Sequence, residues 1–116
     1  PAELFANAAR GMFSFLISSE EVEKREQRAV AVQAGDLEAL LVAWLNELLL
    51  VLNGDGFLPA HFHVTEIEPT HLQANLRGEP VDPARHRFRL DVKAATYHQL
   101  EIRQNAQWHA RVIFDV

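Results

Sequence analysis

Apolar residues recur along this chain with two periods. Leu4, Phe5, Ala8, Ala9, Met12, Phe13 and Leu16 fall at spacings of three and four, which places them on one face of a helix over residues 1–17. Pro1 suits the first helical position, where its missing N–H would have no partner. Ala8, Ala9 and Gly11 are small, and they predict a helix lying close against a sheet. A second helix opens at Gly35-Asp36, because the Asp36 carboxylate can accept orphan N–H groups of the first turn. Leu37, Leu40, Leu41, Trp44, Leu45, Leu48 and Leu52 form its stripe, while Val42, Leu49 and Leu50 make it apolar on most other sides. Such a helix is expected to be buried, and to be too short for a bilayer span. It is expected to stop at Asn53-Gly54, with Gly54 as a left-handed cap. Asn46 and Glu47 interrupt the apolar run, so burial would oblige them to brace a neighbouring strand.

Elsewhere the period shortens to two. Residues 27–34 alternate weakly, with Val30 and Val32 on one face. The mixed charges before them set Glu20, Glu21, Glu23 and Glu26 against Lys24, Arg25 and Arg28, as at a protected sheet edge. Residues 57–66 and 70–77 predict a hairpin bent at Glu68-Pro69, with Phe62 and Val64 on one side and Leu72, Ala74 and Leu76 likewise. GEPVDPAR, residues 78–85, reads as a turn region that carries Glu79 and Asp82. Phe88, Leu90, Val92 and Ala94 start another strand, which continues at His98, Leu100 and Ile102 past an irregularity at Ala94-Ala95-Thr96. A bend at 104–106 leads to a last strand with Trp108, Ala110, Val112 and Phe114 toward the core. The pattern predicts an α+β fold, two helices packed on a mostly antiparallel sheet, in a single domain.

Composition narrows the function. The 116 residues are 48% hydrophobic and 23% charged, which fits a globular chain and excludes disorder. A net charge of -5 argues against strong direct nucleic-acid binding, which needs clustered Lys and Arg. It suits a basic partner or a cation. Without cysteine there are no disulfides, thiolate zinc sites or Cys nucleophiles, and a cytoplasmic location without membrane association is expected. The opening on Pro1 and a helix, with no signal peptide in view, gives the expectation of a fragment that has lost an N-terminal piece.

Catalytic templates are missing: there is no glycine-rich phosphate loop, no G-x-S-x-G elbow and no His-Glu-x-x-His helix. His61 and His63 share a strand face as two zinc ligands could, but spacing marks no third ligand, and surface histidines are the preferred reading. One feature stands apart. The chain ends on Asp115 and the α-carboxylate of Val116, two anionic oxygen groups at one strand end. Such groups suit a hard cation such as Ca²⁺ or Mg²⁺, provided other segments supply further ligands. On residue type alone, an exposed end without a ligand is the stronger of the two readings.

Several blocks together resemble the archease family: LEALLVAWLNELL at 37–49, GE-x-x-D-x-x-x-H at 78–86, VKAATYH at 92–98 and the closing W-x-A-x-VIFDV at 108–116. AELFANAARGMF, residues 2–13, resembles that family's first helix. Archeases are accessory factors of the RtcB-type tRNA-splicing ligase, promoting its guanylylation and repeated turnover without being ligases. A chaperone-like role toward tRNA cytosine methyltransferases is also attributed to them. The resemblance implies an archease-like sandwich and a non-catalytic role. It also implies a metal site using Asp115 and Val116, with Ca²⁺ preferred over Mg²⁺ or Mn²⁺. Lys93, in VKAATYH, matches a position implied in ligase activation, together with Asp115. The family's third metal ligand lies in an N-terminal His-Thr-Ala-Asp motif on a preceding strand, and this sequence has no such motif.

Overall fold

In the computed structural model the described residues are 2–17 and 24–82, with the Phe15 side chain excepted, together with the backbone of strands 94–104 and 108–115. Helix α1 spans Ala2–Leu16 and buries Leu4, Phe5, Ala9, Met12, Phe13 and Leu16 of the face that the spacing defines, and Ala6 beside it. Ala8 is only half-buried. Ala9, with no exposed surface, makes the close approach expected of the small residues. Gly11 does not: it is exposed, and a Cβ there would meet nothing within 4 Å.

Strand β1, Glu26–Gln33, leads into helix α2, Leu37–Asp55. Asp36 caps α2 as its side chain predicts, with Oδ1 accepting from the Ala39 N–H at 2.7 Å while Asp36 holds an extended backbone. The C-terminal cap is Gly56, not Gly54. Gly56 adopts φ 65°, and its N–H bonds the Val51 carbonyl. Running the helix on to Asp55 buries Val51 and Leu52 and delivers the chain directly into the next strand at Phe57. Leu50 is the exception to the all-round apolar burial, at 61% exposure, and Asn46 and Glu47 are half-buried rather than sealed in.

The hairpin consists of β2, Phe57–Glu68, and β3, His71–Pro80. Strand β3 is central in a three-stranded antiparallel sheet of order β1-β3-β2, so β1 is the edge strand its charges foretold. The expected turn at Gly78 is not a turn. Glu26 and Pro59 both pair with Gly78, and β3 continues to Pro80. Glycine is needed there for close backbone approach, because an ideal Cβ would stand 2.0 Å from the Leu58 carbonyl oxygen.

A second, two-stranded sheet pairs β4, Ala94–Gln104, with β5, Trp108–Asp115. Ala94, Ala95 and Thr96 sit in regular register opposite Asp115, Phe114 and Ile113. The irregularity placed there by sequence lies instead between Thr96 and Glu101. The strand segment 88–92 lies outside the described residues.

Helix α2 touches β1, β2 and β3 of one sheet and β4 of the other; α1 lies against β2, α2 and β5. At the junction of both helices with the sheet, Phe13 and Trp44 meet Phe62, with ring centroids 5.6 Å and 6.4 Å away. Each such contact adds about 0.5–1.5 kcal/mol beyond the area it buries. The Trp44 indole N–H donates to the Phe5 carbonyl at 2.9 Å, tying α2 to α1. By length and composition α2 is in fact long and apolar enough to cross a membrane, which corrects the expectation drawn from its length. Its apolar sides are nevertheless used inside the fold, by the nine residues it buries in the core.

Candidate functional site

Of the residues singled out near the chain's end, Asp115 is placed by strand pairing. Asp115 closes β5 and stands opposite Ala94, the first residue of β4, in an antiparallel register. Directly opposed residues in such a pair have Cα atoms about 4.5–5.5 Å apart. Lys93 and Val116 themselves, and the Asp115 side chain, lie outside the described residues. The register therefore brings together the chain neighbours of Lys93 and Val116, at the same end of the two-stranded sheet.

Of the acidic residues of the 78–85 segment, Glu79 does not lie in a loop. Glu79 is within β3, wholly buried, with Oε1 3.3 Å from the Arg25 guanidinium. Asp82 is half-buried just beyond the strand, after Val81, whose N–H bonds the Gly56 carbonyl at 2.8 Å. No group of three or more His, Cys, Asp or Glu that could hold a metal occurs among the described residues.

A second set of polar residues gathers on the outer face of the three-stranded sheet. The β2–β3 register slips by one residue between Pro59–Gly78 and His61–Arg77, leaving Ala60 as the extra residue of a bulge. Past the bulge, His61 pairs with Arg77 and His63 with Asn75, while Phe62 between them is buried in the core. Gln27 of β1 pairs with Arg77 from the other side. Gln27, His61, His63, Asn75 and Arg77 line one open concavity of about 210 Å³. Partial burial pushes the His61 ring below its ordinary pKa of 6.5, and the positive charges of Lys24, His63, Arg77 and Arg10 push it the same way. The sequence pointed to the two histidines but missed Gln27, Asn75 and Arg77. Their alternation with Arg28, Ala74 and Leu76 was the available signal, but the bulge that aligns the rows has none.

The family model for the Archease protein family (MTH1598/TM1083) matches residues 1–116. Protein archease of Methanosarcina mazei is 39% identical over 119 residues, covering 98% of this chain and 82% of that protein. Protein archease of Methanopyrus kandleri is 35% identical over 120 residues, covering 100% and 86%. Among solved structures, Methanobacterium thermoautotrophicum protein 1598 is similar with a TM-score of 0.79 and 31% identity, covering 97% of this chain and 82% of that one. The Thermotoga maritima structure described as an archease and possible chaperone shares the fold, with a TM-score of 0.63 at 19% identity and coverage of 100% and 84%. Sequence likeness over the whole chain and the shared arrangement of helices and sheets agree: the chain belongs to the archease family.

Proposed function

We propose that this protein is a non-catalytic accessory factor of an RtcB-type tRNA-splicing ligase, promoting that enzyme's guanylylation and multiple turnover. The observation that carries the reading is the family match across the whole chain, which includes the closing VIFDV and the VKAATYH block. The β4–β5 register supports it, because it sets Asp115 opposite the residue that follows Lys93. The net charge of -5 favours a basic partner, and complementary charge raises the rate of such an encounter.

The donors at this end are carboxylate oxygens, the ligand type that Ca²⁺, Mg²⁺ and Mn²⁺ accept. Asp115 and the Val116 α-carboxylate would hold the ion, with Ca²⁺ preferred. Their chemistry fits a hard cation, although two groups fall short of the six to eight oxygens of a full Ca²⁺ shell. When bound, the ion would supply positive charge and fix the orientation of both carboxylates. The chain's own contribution is the pairing of β4 with β5, which holds the strand end in place.

A chaperone-like role toward a tRNA cytosine methyltransferase is the second reading, favoured by the description of the Thermotoga maritima protein as a possible chaperone. Among the described residues, however, Leu50 is the one large hydrophobic side chain that is broadly exposed. A surface that holds unfolded chains needs a contiguous apolar patch. Specific docking by charge therefore fits the described surface better. The test is a ligation reaction with purified ligase and broken tRNA halves, run with wild-type protein and with Asp115→Ala. Stimulation should be lost in the variant while its circular dichroism is unchanged. Full stimulation by the variant would remove the role given to Asp115. Suppressed methyltransferase aggregation without any effect on ligation would favour the second reading.

A further inference from the structure

We propose that the concavity on the outer face of the three-stranded sheet is an oxyanion site, taking a phosphate group between Arg77, His61 and His63. This goes beyond the role proposed for Asp115, and it concerns a different sheet.

Three features of the cradle carry the assignment. The first is placement. Gln27, Arg77 and His61 form one row across three paired strands, and Asn75 and His63 form part of the next. Neighbouring strands are about 4.8 Å apart, so the polar ends can reach a common centre. The second is availability. None of these five side chains makes a hydrogen bond or ion pair with another described residue, so their donors face the concavity and solvent. Glu79, two residues beyond Arg77, is instead ion-paired with Arg25. The third is charge. Arg77 is permanently cationic, and the positive charges of Lys24 and of Arg10 on α1 are close enough to bear on His61.

That charge decides between a cation and an anion. Two histidines on one strand face would suit zinc, but the residue paired with His61 is an arginine, and among the described residues no carboxylate lines the concavity. A divalent cation there would meet the like charge of Arg77, whereas an oxyanion would be attracted to its guanidinium. A tetrahedral phosphate offers acceptor oxygens in several directions. The planar guanidinium can take two of them, while the imidazole and amide donors take others.

The source of the phosphate group, a free ion or a monoester, separates in the test. Full-length protein is titrated with inorganic phosphate and, in parallel, with methyl phosphate, while backbone and imidazole NMR signals are followed. Saturable movement of the His61 and His63 ring signals is expected with at least one of the two, and the tighter of them identifies the source. Arg77→Gln should weaken binding by about tenfold or more, the loss expected when a charged donor is removed. His63→Gln, at an exposed position, should weaken it as well, which covers the case of Arg77→Gln failing to fold. Sulfate keeps constant charge in this range, so its binding should weaken as pH rises toward about 6.5 and the His61 ring loses its proton. Absence of saturation, unchanged affinity in both variants, or Zn²⁺ binding at the two histidines that phosphate does not oppose would each overturn the proposal.

Discussion

Replacing glycine by alanine should have opposite effects at two positions of this fold. At Gly78 an ideal Cβ would lie 2.0 Å from the Leu58 carbonyl oxygen and 2.8 Å from both Leu58 C and Pro59 Cα. The first distance is a full ångström inside the 3.0 Å below which real Cβ contacts essentially never occur. All three obstructing atoms are backbone, so no side-chain rotation relieves the clash, and β2 must move away from β3. Overpacking of a well-filled core costs about 1–3 kcal/mol even where side chains can adjust. With a rigid obstacle, Gly78→Ala should cost about 3 kcal/mol or more, a large share of the roughly 5–15 kcal/mol available to a domain of this size. Gly11 lies inside α1, exposed, with nothing within 4 Å of the place an alanine methyl would take, so Gly11→Ala should gain about 0.8–1 kcal/mol of helix propensity. Urea denaturation followed by far-ultraviolet circular dichroism measures both. With a slope of about 1–3 kcal/mol per molar, the two midpoints should move apart by more than about 1 M. Shifts of the same sign, or a Gly78→Ala cost under about 1 kcal/mol, would refute the close approach of β2 and β3.

Two further substitutions test the core and the outer face. Trp44→Phe removes the indole donor to the Phe5 carbonyl and part of a fully buried ring. Because that carbonyl can still accept from its own helix, the bond should be worth about 1 kcal/mol, with about 1 kcal/mol more for lost area; a urea midpoint unchanged from wild type would contradict this. His61 has a folded-state pKa below its ordinary 6.5, so the unfolded chain binds more protons in the window beneath that value. Stability should therefore rise with pH through the folded pKa up to about 6.5 and then level off. His61→Gln should flatten that rise; thermal melts across the window that leave the slope unaltered would contradict it.

How far the sequence carries depends on the range over which each signal acts. Periodicity is local and survives folding, so the apolar faces of α1 and α2, the Asp36 cap and the edge position of β1 were readable directly. Glycine was ambiguous because it serves several purposes. Gly54 and Gly56 both could end α2, and the choice followed from where Phe57 had to enter β2. Gly78 read as a turn because the neighbour that requires it, Leu58, is twenty residues away in sequence. The bulge at Ala60 has no local marker either, yet it aligns His61 with Arg77. The pairing of Asp115 with Ala94 is likewise a property of register, which alternation alone leaves undetermined by two-residue steps.

The role given to the chain's last strand is tested most directly by ligase turnover. Purified RtcB-type ligase, in limiting amount over tRNA halves, is assayed with no addition, with this protein, and with Asp115→Ala of matched circular dichroism. Many ligation events per enzyme are expected with the wild-type protein, and a return to the unassisted level with Asp115→Ala. Equal turnover with both proteins, or no stimulation by either, would contradict that role.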